Sequence, residues 1–139
     1  MTAQTETTKA HPNVDALREI YANLTRLGDY AADDIVLHTA NREVMPEHGK
    51  IHGKEAAVAK ERQLIAATGN TLVMDVQDII ANDYFGAVMG VLRAHQDGKA
   101  LAMPFCGLWR FRDGRIVEHW ENAYDIAALH ESHAPATTQ

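Results

Sequence analysis

The stretch Gly107-Leu-Trp-Arg-Phe-Arg-Asp-Gly-Arg-Ile-Val-Glu-His-Trp-Glu-Asn-Ala-Tyr-Asp125 sets two aromatic and β-branched runs on either side of Asp113-Gly114. A two-residue hairpin loop needs positive φ, which Asp-Gly tolerates, and the flanking side chains suit a pleated surface. The chain is therefore committed to an antiparallel hairpin here. The same punctuation recurs upstream: Leu72 to Ile80 is followed by Asn82-Asp83, Tyr84 to His95 by Gln96-Asp97-Gly98, and Ala100 to Arg112 by Asp113-Gly114. With Arg115 to about Ala123, these runs predict a four-stranded antiparallel meander. Strands this long must bend to stay compact, and Gly86, Gly90, Pro104 and Gly107 are the expected bulges. Several strands are apolar on both alternating faces. One face is expected to pack on helices and the other to meet a second subunit, giving a homodimer through the outer face of the sheet.

Upstream of the meander the spacing is helical. Val14, Leu17, Ile20, Tyr21, Leu24 and Leu27 predict an amphipathic helix from Pro12 to Leu27, with Pro12 in its first turn and Gly28 as its C-terminal cap. Asp29 is suited to cap a short second helix through about Asp33, before a strand at Ile35 to Thr39. Residues from Ala40 to Gly53 read as loop, and Lys54 to Thr68 as a helix ending at Gly69-Asn70. Ile126 to Glu131 adds a short helical turn. Residues 1–11 are polar and Thr-rich and 132–139 are Ala, Pro, Thr and Gln, so both read as tails around one domain spanning 12–131. The expected fold is α+β, with a strongly curved antiparallel sheet wrapped around helices.

Composition narrows the function. A hydrophobic content of 46% in 139 residues is enough for one substantial core, and a net charge of −6 without a Lys/Arg cluster argues against nucleic acid. No apolar run approaches a membrane span and the N-terminus lacks the basic and apolar regions of a signal peptide, so no membrane partner is expected and the cytoplasm is the expected location. The lone Cys106 cannot form an internal disulfide and reads as a small apolar filler. Among eight histidines, His48 and His52 have i, i+4 spacing, but Gly49 and Gly53 argue against the helix that would join them on one metal. Neither a metal centre nor a cofactor is expected.

Helix, short helix, strand, helix and meander, with Gly28-Asp29, Gly49-x-x-x-Gly53-x-Glu55-Ala56 and the terminal Phe-Arg-Asp-Gly-Arg-Ile-Val-Glu-His-Trp, resemble the nuclear transport factor 2-like superfamily, and its SnoaL-like, polyketide cyclase-like branch in particular. The resemblance covers roughly residues 12–131 and implies a cone-shaped scaffold that hosts cyclases, isomerases, dehydratases, hydrolases and non-catalytic binding modules. It also implies that the first helix, the first strand, the loop after it and the inner meander face line a pocket for a small hydrophobic ligand.

On that mapping the last strand turns Val117, His119, Glu121 and Ala123 inward and Ile116, Glu118, Trp120 and Asn122 outward. Glu121 and His119 form the best acid/base pair, with His38 as a third catalytic candidate. Their alternative role is a structural network with Arg93 or Arg110. Thr39 and Gly107 stand where the ketosteroid isomerases carry acidic residues, which disfavours that chemistry, whereas Tyr21 matches their phenol donor. Arg93 on a pocket strand leaves an epoxide hydrolase as a weaker alternative. Met45, Met74, Met89, Met103, Phe105 and Trp109 are the expected apolar lining, shared with the core. The leading expectation is a cofactor-independent acid/base enzyme acting on a hydrophobic carbonyl or polyketide-like substrate, against a non-catalytic ligand-binding or dimerisation module.

Overall fold

The computed structural model describes residues 11–96 and 98–128; the expected tails, Asp97 of the second meander turn and the end of the helical turn begun at Ile126 lie outside them. Helix α1 spans Pro12–Ala22, begun by Pro12 and by the His11 imidazole, whose Nδ1 accepts the Asn13 N–H at 3.0 Å. It stops before the expected Leu27. Asn23 leaves the helical region at φ −154°, ψ 102°, and its Oδ1 accepts the Thr25 N–H at 3.1 Å, starting a 3-10 turn at Leu24–Arg26. That turn runs into α2, Leu27–Tyr30, so Gly28 lies inside a helix rather than capping one. Leu24 and Leu27 remain buried across the break, which is why the apolar spacing looks continuous. The helix expected through Asp33 is replaced by β1, Ala31–His38.

The third helix, α3, spans Lys54–Ala67 and ends as expected, with Gly69 and Asn70 both at positive φ. The sheet adds β2 (Lys50–His52), β3 (Val73–Ala81), β4 (Phe85–Gln96), β5 (Lys99–Arg112) and β6 (Arg115–Ala123) in the order β2-β1-β6-β5-β4-β3. The meander is antiparallel throughout, and β1 joins its far edge parallel to β6. Part of the segment expected as loop is thus strand: Lys50–His52 pairs antiparallel with β1. Among the described residues no helix is long and apolar enough to cross a membrane.

β4 and β5 pair without interruption from Phe85–Arg110 to Gln96–Lys99, so Gly86, Pro104 and Gly107 carry no bulge in that ladder, whereas Gly90 faces Val76 at the edge of a shift in the β3–β4 register. The register shifts between Val76 and Asp78 on β3 and between Arg110 and Phe111 against β6, where Phe111 faces Ile116 and Arg110 faces Glu118. Val117 is the extra residue. The bulge therefore turns Ile116 into the central core, a correction to the even alternation expected from Arg115 onward, and restores His119 and Glu121 to the inner face. The resulting inner rows are Gly86–Trp109–His119–Leu37 and Val88–Gly107–Glu121, while Ala87–Leu108–Trp120–His38 runs across the outer face.

The glycines of β4 and β5 serve close approach. A Cβ on Gly107 would stand 2.0 Å from Tyr21 Oη and 3.0 Å from Trp109 Nε1, so only glycine lets the α1 phenol reach the sheet. Gly107→Ala is expected to lower unfolding free energy by about 2 kcal/mol through overpacking. The loss should shrink in a Tyr21→Phe background, read by urea denaturation of the four members of the double-mutant cycle.

Candidate functional site

A cavity of about 250 Å³ opens between the inner sheet face and the helices. Leu24 from the turn after α1, Leu64 from α3, Leu72, and Met74, Leu92, Leu101 and Phe105 from β3, β4 and β5 make its apolar walls. Tyr21, Lys60, Glu61, His119 and Glu121 bring the ionisable groups to the same space.

Glu61 reaches the cavity because Ala57, Glu61, Leu64 and Thr68 follow the i, i+4, i+7 spacing of the buried face of α3. A carboxyl thus replaces an apolar residue in a core stripe. It is 2% exposed, and its Oε1 has no hydrogen-bond partner among the described residues. Burial pushes its pKa up to about 8 from the usual 4.5, with the nearby Glu121 charge adding to the rise.

His119 is 3% exposed and stacks on Trp109 with ring centroids 3.4 Å apart. Its Nδ1 lies 2.9 Å from the Leu108 carbonyl, so the ring donates there and leaves Nε2 as a lone-pair acceptor. Burial holds its pKa down at about 4, keeping the imidazole neutral near pH 7. Glu121 behaves differently in the same cavity. Desolvation pushes its pKa up, but the Lys60 ammonium 3.7 Å away and the Ala40 N–H, which donates to Oε1 at 3.2 Å, outweigh it and favour the carboxylate. Two carboxyls facing one cavity are thereby driven in opposite directions.

Tyr21 stacks on Phe105 and accepts the Trp109 Nε1–H at 3.2 Å, which leaves its own proton to be donated. Burial raises the phenol well above its ordinary pKa. The loop after β1 completes the site through Arg42, whose Nη1 donates to the Thr39 carbonyl at 2.9 Å and the Glu121 carbonyl at 2.6 Å, and whose Nη2 donates to Asn122 Oδ1 at 2.7 Å.

The inward pair expected from sequence, Glu121 and His119, meets at the cavity, and Tyr21, Met74, Phe105 and Trp109 line it with them. His38 does not join them. It lies on the outer row, 2.6 Å from Glu118 and stacked on Trp120, because strand alternation turns Ile35 and Leu37 inward and His38 outward. Glu118 is held below the usual carboxylate range by that contact and by Arg110. Arg93 projects from β4 on the face opposite Leu92 and pairs with Asp75 at 3.4 Å, so neither it nor Arg110 is the partner of Glu121. Met89 is exposed on the outer face, Met103 packs in the core without lining the cavity, and Met45 lies beside Asn41 in the loop. His48 and His52 are both exposed. The cation and second acid, Lys60 and Glu61, escape the sequence reading; the signal for them is an acid on the Ala57–Leu64–Thr68 stripe.

The buried acid gives a pH signature. Between pH 4.5 and about 8 the folded chain keeps a proton on Glu61 that the unfolded chain has shed, so raising the pH favours unfolding by up to about 1.4 kcal/mol per unit. His119 acts oppositely, since the unfolded chain takes up a proton below 6.5 that the folded imidazole refuses until about 4. The two offset each other between 4.5 and 6.5. Stability is therefore expected to fall from pH 6.5 to 8, and Glu61→Gln to flatten that fall, measured by chemical denaturation across the range.

The family model for the SnoaL-like domain matches residues 13–119. No curated protein matches the sequence. Among solved structures, Bal32a from a soil-derived mobile gene cassette has a TM-score of 0.78 at 23% identity, covering 91% of this chain and 100% of that one. IdmH, a putative polyketide cyclase from Streptomyces antibioticus, has a TM-score of 0.68 at 24% identity, with 89% and 99% covered. TerC, co-crystallised with polyporic acid, has a TM-score of 0.71 at 18% identity, with 88% and 98% covered. At these identities the structural likeness establishes the α+β scaffold, and with the family match over most of its length, the chain belongs to the SnoaL-like domain family of the NTF2-like fold.

Proposed function

We propose that this protein is an acid/base enzyme that moves a proton at carbon next to a carbonyl in a small, hydrophobic, polyketide-like substrate. The observation that carries the reading is the unequal setting of two cavity carboxyls: Glu121 has the Lys60 ammonium and the Ala40 N–H, which favour its ionised form, whereas Glu61 is buried with no partner for Oε1 among the described residues, which favours its protonated form. Environments that push two acids apart assign the base and the acid at one pH. Glu121 takes the proton from the carbon. Glu61 or the Tyr21 phenol donates to the oxygen on which negative charge develops, and the neutral His119 Nε2 accepts a substrate hydroxyl. Leu64, Leu72, Met74, Leu101 and Phe105 exclude water and hold a planar apolar body.

Deuterium exchange tests this whatever the final product is, because it reads the proton-transfer step alone. Incubation in D2O with a panel of β-dicarbonyl and hydroxyquinone compounds, polyporic acid among them, is expected to yield wild-type-dependent deuteration at an activated carbon, followed by mass spectrometry. Glu121→Gln should slow it about 100-fold or more and Tyr21→Phe by less, each with the far-ultraviolet dichroism of the wild type. Ligand binding with no exchange above the Glu121→Gln background would instead mark a non-catalytic binding module.

The outer sheet face supports a second part of the proposal, a homodimer. Ile80, Phe85, Met89 and Leu108 are 70, 58, 50 and 42% exposed on that face, an apolar cluster of the kind that marks a protein–protein contact. Sedimentation is expected to give a dimer for the wild type and a folded monomer for Leu108→Lys.

A further inference from the structure

We propose that Glu61, His119 and Glu121 form a binding site for a divalent cation of borderline softness, with Zn2+ the best fit. One ligand atom from each lies within 4.8 Å of the others, an arrangement that one ion can span after small side-chain adjustments. The donors come from a helix and a strand that line one cavity, Glu61 from α3 and the other two from β6, and Glu61 and His119 are both buried, so the site is built by the fold rather than by a surface cluster. Glu61 Oε1 is buried and unpartnered among the described residues. His119 has the outer contact common to metal-bound histidines, with Nδ1 committed to the Leu108 carbonyl and Nε2 left as the free lone pair. The Ala40 and Lys60 contacts of Glu121 both fall on Oε1, and its other oxygen makes no hydrogen bond among the described residues.

The donor set selects the ion. One imidazole nitrogen and two carboxylate oxygens suit zinc and its first-row neighbours, whereas Ca2+ needs six or more oxygens and Mg2+ favours an oxygen octahedron. Three protein ligands also match an open zinc site, whose fourth position faces the cavity and is available to water or a substrate oxygen. Lys60 opposes the ion, since its ammonium lies 3.7 Å from Glu121 Oε1. That makes Lys60 a residue whose removal strengthens binding, which no surface histidine site would predict.

Zinc would occupy the same three groups that the acid/base proposal uses, so the two are measured apart: the titration is run with no substrate, and deuterium exchange with chelator-treated protein. Full-length, tag-free protein stripped with chelator and titrated with ZnCl2 in a calorimeter is expected to bind one equivalent per chain. Glu61→Gln and Glu121→Gln should each weaken binding at least tenfold while keeping the wild-type dichroism, and Lys60→Met should tighten it. The proposal is overturned if no stoichiometric binding occurs, or if affinity survives both glutamine variants and is lost on replacing the exposed His48 and His52 by Asn. Deuterium exchange without zinc binding would sink this inference alone, and zinc binding without exchange would sink only the acid/base proposal.

Discussion

The register of the β5–β6 hairpin decides what this molecule can do. Because the side-chain period of a strand is two, a slip of one residue would send His119 and Glu121 to the outer face and bring Glu118 and Trp120 into the core. The register is held from both ends of the hairpin. Asp113 and Gly114 supply the positive-φ turn, and the Val117 bulge absorbs one residue so that Ile116 and His119 both face inward. Past the bulge, Trp109 stacks on His119 and Gly107 faces Glu121, leaving above Glu121 the space that the Tyr21 phenol and the cavity share. Fold and site therefore depend on the same few hydrogen-bonded pairs.

The cavity's electrostatics follow from a shortage of cations. Two carboxyls enter a space with one ammonium, and Lys60 pairs with Glu121. Glu121 has the ammonium and a backbone N–H, whereas Glu61 Oε1 has neither. The unequal provision separates their protonation states more surely than burial, which acts on both in the same direction. Keeping an acid in a core stripe with no partner for Oε1 among the described residues costs stability. The neutral imidazole and the high phenol pKa complete a site that can donate and accept protons while carrying little net charge.

The meander and the helix from Lys54 are legible in the sequence because alternation and turn chemistry act locally, whereas the inward direction of His119 and Glu121 comes from the family resemblance, since the Val117 bulge breaks the alternation of their strand. The break at Asn23 is hidden, since a 3-10 turn keeps Leu24 and Leu27 on the buried side and mimics an unbroken helix. The bulges are misplaced for a related reason. Glycine in a strand marks either a bulge or a close approach, and only the three-dimensional packing of Leu17 on Gly86 and Tyr21 on Gly107 tells the two apart. Resemblance draws His38 inward, although the alternation Ile35, Leu37, Thr39 already opposes it. Glu61 is legible in principle as the one acid on its helix stripe, but the stripe is short of large apolar residues and its amphipathic pattern is weak. The path of the Ala40 loop is not legible, because Arg42 fixes it through carbonyls of Thr39 and Glu121 that no sequence pattern announces.

That clamp also explains why one strand can carry two separate polar systems. On the outer face Glu118 joins His38, Trp120 and Arg110; on the inner face His119 and Glu121 look into the cavity. The systems are insulated by the sheet itself, whose backbone groups are consumed in pairing β6 to β1 and β5. At the end of β6 the insulation would fail on one side, since pairing with β1 ends at Trp120 while pairing with β5 continues to Ala123. Arg42 closes that end by donating to the Glu121 carbonyl and to Asn122 Oδ1, while the same loop presents Ala40 N–H to the Glu121 carboxylate. The main chain of Glu121 is thus tied to the loop that helps ionise its side chain, so movement of the loop would alter the charge on that carboxyl before it altered the fold.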